Sequence, residues 1–121
     1  MEKFLPRRAL IDGFGDGGFR FAGMSHRGAL LVLPSGMRAW RPSNLDDVEG
    51  RDFAAVIAEK AEIDFLLIGT GPRMQRLPPH VARALEGEVR FDAMSTSAAV
   101  ATYNVVVAEG RRYAAAFLPV P

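Results

Sequence analysis

Six consecutive residues, Asp64 to Gly69 (DFLLIG), limit the folds open to this chain more than any other segment. A short, continuous apolar run that ends in glycine is typical of a strand buried on both faces of a sheet. A helix is predicted next, because Pro78 and Pro79 suit its first turn and Gly87 suits its C-terminal end. The alternating residues Glu88 to Asp92 then predict another strand, so we expect a right-handed β-α-β unit with parallel strands.

A second helix and a last strand are predicted to extend this unit. The hydroxyl side chains of Ser95 to Ser97 precede a run of helix formers, and Gly110 can end the helix. Within it, Val105 to Val107 are β-branched and favour a strand, but the apolar residues from Val100 onward recur at helical spacing. We therefore predict a helix here, followed by a strand over Arg112 to Leu118.

The first third of the chain predicts an antiparallel β-meander. Pro34-Ser35-Gly36 predicts a hairpin connection, and Ser25 to Gly28 predict a looser turn. The glycines from Gly13 to Gly18 predict a flexible turn rather than a phosphate-binding loop, because the segment leads into a strand-like run and lacks a Gly-Lys-Ser/Thr ending. The predicted strands are Phe19 to Gly23, Ala29 to Leu33 and Met37 to Trp40.

These elements predict one fold class. A helix beginning near Arg51, in which Phe53 and Ile57 are four residues apart, completes the elements. We expect a single domain, residues 1–121, of the α/β (α+β) class. It would contain an N-terminal β-meander, then β-α-β-α-β units, with helices flanking a mixed sheet.

Composition excludes several classes of protein. The chain has no cysteine, which removes disulfides, thiolate metal sites and a cysteine nucleophile. Its formal net charge of +1 is far from the basic surplus of a nucleic-acid-binding domain. Met1 to Arg8 lack the apolar core of a secretion signal, and no apolar run approaches the roughly 20 residues of a membrane-spanning helix. We therefore expect a cytoplasmic protein without a transmembrane segment.

Candidate binding residues follow two of the predicted parallel strands. Ligands of open α/β sheets bind beyond the carboxyl ends of the strands, where hydroxyls and helix starts suit an anion. The alternative is structural: Ser95 or Thr96 caps a helix, and the glycines only permit a tight turn. The residues of this candidate edge are Gly69, Thr70, Gly71, Arg73, Ser95, Thr96 and Ser97.

The sequence offers no catalytic residue, metal ligand or cofactor motif on which to base a prediction. His26 and His80 lie far apart and lack the spacing of paired metal ligands. No serine lies in a Gly-x-Ser-x-Gly elbow, and no carboxylate pair has the arrangement of a general acid and base.

Three segments together resemble a known family. LLIGTG at Leu66 to Gly71, MSTSAAVATYN at Met94 to Asn104 and EGRRYAAAF at Glu109 to Phe117 are similar to the domain-of-unknown-function family 498, and the likeness extends upstream through GFRFAG and LPSGMRAW. The resemblance implies a small α/β sandwich with a mixed sheet and no established catalytic residue. It adds Tyr103 and Asn104 to the candidate positions. Tyr113 departs from the family pattern, which has a small aliphatic residue there.

Two functional hypotheses remain open from the sequence. The resemblance implies a non-enzymatic assembly or scaffold factor for respiratory complex I (NADH-quinone oxidoreductase), whose partners would be complex I subunits or another assembly protein. Such a protein would be cytoplasmic and peripheral at the inner membrane only through its partner. The alternative is a protein, conceivably an enzyme, that binds an anionic small molecule at the carboxyl edge of the parallel strands. The sequence predicts no oligomeric state.

Overall fold

The computed structural model describes residues 3–121, with side chains from Leu5 onward. Residues 1 and 2, part of the segment used above to exclude a secretion signal, lie outside it. Three α-helices are α1 (Ala54–Ala58), α2 (Pro79–Leu85) and α3 (Thr96–Ala108). The nine strands are β1 (Lys3–Leu5), β2 (Gly13–Gly15), β3 (Gly18–Phe21), β4 (Met24–Arg27), β5 (Leu30–Leu33), β6 (Gly36–Ala39), β7 (Phe65–Gly69), β8 (Phe91–Met94) and β9 (Tyr113–Phe117).

Six of the strands form a mixed sheet in the order β1-β6-β5-β9-β7-β8. β7 pairs in parallel with β8 on one side and with β9 on the other, as the β-α-β-α-β prediction requires. β5 pairs antiparallel with β9 and with β6. The α+β class and the mixed sheet are therefore confirmed, with the parallel strands at one end of the sheet and the antiparallel strands at the other.

The strand that follows Asp64 is buried on both faces, as its sequence predicts. Leu66 and Ile68 pack into a core on one side of the sheet, while Leu67 packs into a core on the other. The neighbouring strand β9 alternates in the same way. Ala114 and Ala116 pack into the core that contains Leu66, and Ala115 packs into the core that contains Leu67. This alternation follows from the two-residue period of a strand, and it forces both faces to be covered.

Helix α3 covers one of these faces, and its prediction as a helix is confirmed through Val105 to Val107. Ala99 and Tyr103 are fully buried against the sheet, and the Tyr103 ring meets the Phe117 ring edge to face at 5.5 Å. Ala115, the alanine of β9 that faces α3, leaves room for large side chains from the helix. No helix in residues 3–121 combines the length and the apolar character needed to cross a lipid bilayer.

The opposite face is covered by α2 and by a helical segment that the sequence predicted only in part. The helix expected near Arg51 begins as a 3-10 turn at Gly50–Phe53, becomes α1, and ends in another 3-10 turn at Lys60–Glu62. Phe53 and Val56 are fully buried in this core. The carboxylate of Asp52 accepts the backbone N–H of Glu49, so the turn closes before the α-helix starts.

The meander prediction was right about the hairpin of β5 and β6 but wrong about the partners of β3. β2, β3 and β4 form a separate three-stranded antiparallel sheet, whereas β5 and β6 belong to the large sheet. Phe19 and Phe21 of β3 are buried beside α3, so the small sheet packs over the same face as that helix. Helix α3 and the three-stranded sheet therefore together cover this face of the large sheet.

Two other predictions in this region need correction. Ser25 to Gly28 are not a turn: Met24–Arg27 form β4, and the turn lies at Ala22 and Gly23, with φ of 49° and 74°. The glycine-rich segment is itself a hairpin, because Gly15 pairs with Gly18 across Asp16 and Gly17. Positive φ at both central residues of a two-residue loop is the geometry that Asp-Gly favours, and it matches the twist of the strands.

The strand predicted at Glu88 to Asp92 begins later than expected. The backbone N–H groups of Glu88 and Val89 both donate to the carbonyl of Leu85, so these residues still terminate α2. Pairing with β7 begins at Phe91, which lies opposite Leu66. The last strand, by contrast, falls within its predicted range.

Candidate functional site

The loops that follow β7 and β8 meet at the carboxyl edge of the parallel strands. The N–H of Thr70 donates to the carbonyl of Met94 at 2.8 Å. Gly71 and Thr96 are joined twice: the Gly71 N–H donates to Thr96 Oγ1, and the Thr96 N–H donates to the Gly71 carbonyl, both at 2.9 Å. The structure therefore brings the two predicted segments together.

The hydroxyl of Thr96 is engaged entirely within the protein. Its side chain is fully buried, and Oγ1 donates to the carbonyl of Leu118 at 2.7 Å while accepting from Gly71. Gly69 is a glycine because of this approach, since a Cβ there would lie 2.8 Å from Thr96 Oγ1. The hydroxyl is thus a link between segments and is closed to a ligand in this conformation.

The hydroxyl of Thr70 organises the loop that follows β7. Thr70 Oγ1 lies 2.7 Å from the Arg73 carbonyl and 3.0 Å from the Met94 carbonyl, and it accepts the Gln75 N–H at 3.2 Å. Because the hydroxyl has one proton, it donates to one of these carbonyls at a time. Thr70 and Thr96 are the buried polar residues of the described chain, and both are satisfied internally.

The start of α3 is capped by the protein itself. Ser95 Oγ accepts the N–H of Ala98 at 3.2 Å, the arrangement of a helix N-cap. Ser97 and Arg73 are exposed at the same edge. A binding role for Gly69, Thr70, Gly71, Arg73, Ser95, Thr96 and Ser97 therefore stays a prediction, while the capping alternative describes the geometry of Ser95.

Tyr103 and Asn104 are not part of this edge. The Tyr103 hydroxyl donates to the carbonyl of Ala9 at 2.7 Å, and burial raises the pKa of this phenol above its usual range. The Asn104 amide pairs with the backbone of Ile11, accepting its N–H at 2.8 Å and donating to its carbonyl at 2.9 Å. Both side chains fasten the segment around Leu10 to α3.

A small pocket of about 250 Å³ lies beside the carboxyl edge. It is formed where the loop from Thr70 to Gln75 approaches the segment from Ser43 to Asp46 and the chain end near Pro119. Asn44 is occupied by a hydrogen bond from the Asp47 N–H at 3.2 Å. The pocket offers space for a small molecule, but the two buried hydroxyls beside it are already satisfied.

A larger cleft, of about 550 Å³, lies on the three-stranded sheet. Gly13, Gly15 and Gly18 contribute no side chains to it, and Arg20 and Arg27 are exposed along it. We did not predict this cleft from the sequence. The signals that would have shown it are the Asp16-Gly17 hairpin and the alternation of β3, which buries Phe19 and Phe21 and turns Arg20 outward.

In residues 3–121, no group of three or more histidines, aspartates and glutamates is arranged to hold a metal ion. His80 is exposed, and His26 Nε2 lies 2.8 Å from the carbonyl of Ala29. Among the described residues, displaced pKa values belong to side chains in ion pairs, such as that of Asp52 with Arg41. Tyr103 is the exception, because burial displaces its pKa.

Comparison with known sequences finds the same family that the motifs resemble. A profile of the family described as "Protein of unknown function (DUF498/DUF598)" matches residues 11–118. An uncharacterized protein of Rhodobacter capsulatus is 41% identical over 92% of this chain and 85% of its own length. NADH dehydrogenase [ubiquinone] 1 alpha subcomplex assembly factor 3 of Bos taurus is 30% identical over the whole of this chain, which spans 66% of the bovine protein.

Solved structures share the fold closely. The crystal structure of a Bartonella henselae protein described as an outer membrane protein is 43% identical, with a TM-score of 0.89 over 97% of this chain and 99% of that one. A Rhodopseudomonas palustris protein solved by NMR is 39% identical, with a TM-score of 0.84 over 100% of this chain and 90% of that one. A Bordetella pertussis protein described as an Mth938-like domain is 26% identical, with a TM-score of 0.74 over 98% and 92%.

Proposed function

The chain belongs to the DUF498/DUF598 family, and on this premise we propose that it acts in the assembly of respiratory complex I (NADH-quinone oxidoreductase). In this role it is a non-enzymatic scaffold that binds complex I subunits or another assembly protein. It works in the cytoplasm and reaches the inner membrane only through its partner.

The observation that carries this proposal is the extent of the similarity to the bovine assembly factor. The match runs over 122 aligned residues and includes the whole of this chain. Both sheets, α3 and the carboxyl edge therefore lie within the shared part. This chain spans 66% of the bovine protein, so the proposal concerns what this domain itself can bind.

The geometry of the carboxyl edge favours a protein partner over a small substrate. The hydroxyls of Thr70 and Thr96, the most buried polar groups at that edge, are satisfied by backbone groups of the chain. A ligand that bound through these hydroxyls would have to break the bonds, each of which contributes about 1 kcal/mol or more when buried. Binding through the outer surface requires no such rearrangement.

Affinity capture tests the proposal directly. The tagged chain would be expressed in its source organism, and captured proteins would be quantified by mass spectrometry against a tag-only control. We expect enrichment of complex I subunits or of their assembly intermediates. Recovery of no complex I protein above the tag-only control would contradict the proposal.

The alternative function, binding of an anion or small metabolite, draws support from the pocket of about 250 Å³ beside Gly71. Amide NMR spectra recorded with inorganic phosphate and with AMP test it. The assembly proposal predicts no saturable shift at Gly71 or at Ser95 to Ser97. Saturable shifts confined to these amides would favour the alternative.

A further inference from the structure

The cleft on the three-stranded sheet combines two features that are rarely found together on a surface. Its floor is made of backbone, because Gly13, Gly15 and Gly18 occupy the face on which other strands would carry side chains. Its cations, Arg20 and Arg27, have no ion-pair or hydrogen-bond partner among the described side chains, unlike Arg41 or Arg112.

The register of the small sheet places the two arginines in neighbouring rows on one face. Arg20 lies opposite Gly13 and Ser25, while Arg27 lies opposite Gly18, which in turn faces Gly15. Rows two residues apart along a strand are separated by roughly 6.8 Å. The two arginines therefore lie in rows one strand repeat apart and on adjacent strands, β3 and β4, which makes them diagonal neighbours roughly 7–8 Å apart.

The glycines allow both guanidinium groups to lie against the sheet. A Cβ at Gly13 would contact Arg20 Nη2 at 3.6 Å, and a Cβ at Gly17 would contact Arg27 Nη1 at 3.8 Å. A planar guanidinium held in this way presents several N–H donors along one edge and binds carboxylates in a bidentate manner. Asp16 is the carboxylate of the lining, so cations outnumber anions in the cleft.

We propose that this cleft binds an extended acidic segment of a partner protein, with carboxylates at positions i and i+2 of that segment paired to Arg20 and Arg27. Side chains at i and i+2 of an extended peptide point to the same side and are roughly 6.8 Å apart, which is close to the spacing of the two arginines. A single inorganic anion would fill little of a cleft of this size.

The inference names the contact surface of the proposed assembly role and rests on that role for the kind of partner. The peptide-binding property itself can be measured without the partner. A synthetic peptide, acetyl-Glu-Thr-Glu-Thr-Glu-amide, is the probe, and its glutamine counterpart is the matched control. Binding is followed by amide NMR on the purified protein, which also reports whether each variant is folded.

We expect the glutamate peptide to shift the amides of β2, β3 and β4, and binding to weaken as NaCl rises from about 20 mM to about 500 mM. Arg20→Gln and Arg27→Gln should each weaken binding by about tenfold, since each removes a charge-assisted pair. Arg83→Gln, an exposed arginine on α2 across the large sheet, should bind as the unmodified protein does. Equal binding of the glutamine peptide, or shifts elsewhere on the protein, would overturn the inference.

The capture experiment separates the two proposals. With the Arg20→Gln/Arg27→Gln double variant, complex I subunits should be lost, while Arg83→Gln should retain them. Undiminished capture by the double variant would overturn the site and leave the assembly role standing. If the unmodified protein captures no complex I subunit, the assembly role fails and the peptide titration alone decides whether the cleft binds acidic segments.

Discussion

The side-chain hydroxyl of Thr96 accepts a hydrogen bond from the backbone N–H of Gly71 across 2.9 Å. The same oxygen donates to the carbonyl of Leu118. One buried hydroxyl thus joins the end of β7, the start of α3 and the end of β9, the three segments that converge at the carboxyl edge. Gly71 and Thr96, which the sequence motifs offer as candidate binding residues, link these three segments of the fold.

Replacement of Thr96 by valine tests this role. Thr96→Val keeps the shape of the side chain but leaves the Gly71 N–H and the Leu118 carbonyl without a partner in a buried place. We expect the free energy of unfolding to fall by about 1–3 kcal/mol, measured by urea denaturation. Ser97→Ala, at the exposed neighbouring position, should change it by less than about 0.5 kcal/mol. Equal stability of the two variants would contradict the stabilising role of the Thr96 hydroxyl.

Gly71 is required for its backbone conformation. Its φ is +103°, a region that β-branched residues tolerate poorly, although a Cβ would meet nothing closer than the Pro119 carbonyl at 3.9 Å. Gly71→Val should therefore destabilise the protein by about 1–3 kcal/mol through strain. Gly13→Ala is the control, because Gly13 has no positive φ and its added Cβ would make ordinary contacts. An unchanged melting temperature for Gly71→Val would refute the turn geometry.

The hydroxyl of Tyr103 holds the segment at Ala9 to α3. Tyr103→Phe leaves the buried Ala9 carbonyl unpaired, so we expect a loss of about 1–2 kcal/mol in the free energy of unfolding at neutral pH. Tyr113→Phe is the matched control, because Tyr113 is half-buried and its hydroxyl has no hydrogen-bond partner among the described residues. Similar effects of the two substitutions in chemical denaturation would contradict this assignment.

Alkaline pH gives a second test of the Tyr103 environment. Burial raises the pKa of Tyr103 in the folded state, so the unfolded chain releases this proton first, near its ordinary pKa of 10.0. The contribution to stability is complete below that pH and decreases as the pH rises above it. The unmodified protein should lose more stability than Tyr103→Phe between pH of about 9 and about 11. Parallel losses would show that the phenol is not buried as described.

Asp52 provides the corresponding test in acid. Its carboxylate accepts two hydrogen bonds from Arg41, from Nε and Nη2 at 2.7 Å, and this pairing lowers the pKa of Asp52 below its usual value of 3.8. The pairing stabilises the fold above that pH and is lost as the pH falls through the folded-state pKa. Asp52→Asn should therefore be less stable than the unmodified protein at pH 7, with a gap that narrows in acid. The exposed Asp46→Asn is the control, and a gap that is constant with pH would contradict the pairing.

Local patterns in the sequence predicted the strands of the large sheet except β1, because most of these strands are continuous apolar runs. The run at Leu66 to Ile68 is apolar without interruption, and its shortness and the glycine that follows favour a buried strand over a helix. The helix containing Val105 to Val107 was predicted against strand propensity, because spacing along the helix outweighs the preference of single residues. Tertiary packing of the helix against Ala115 and Phe117 favours the same result.

The pairing of the small sheet could not be predicted in the same way. Phe19 and Phe21 alternate like any strand, but the sequence does not say which sheet they join, and this depends on contacts with α3. At the carboxyl edge, the meeting of the two loops was predictable from the parallel order of the strands. Whether the hydroxyls of Thr70 and Thr96 face outward or inward depends on how the segments that they join pack together, which spacing along the sequence cannot reveal.

The role that we propose for this chain is in the assembly of complex I. Its most direct test is the amount of fully assembled complex I in the source organism after deletion of the gene, measured by native gel electrophoresis with in-gel NADH dehydrogenase staining. We expect the amount of assembled complex I to fall, smaller intermediates to accumulate, and both changes to be reversed when the chain is re-expressed. A deletion strain with normal amounts of assembled complex I would contradict it.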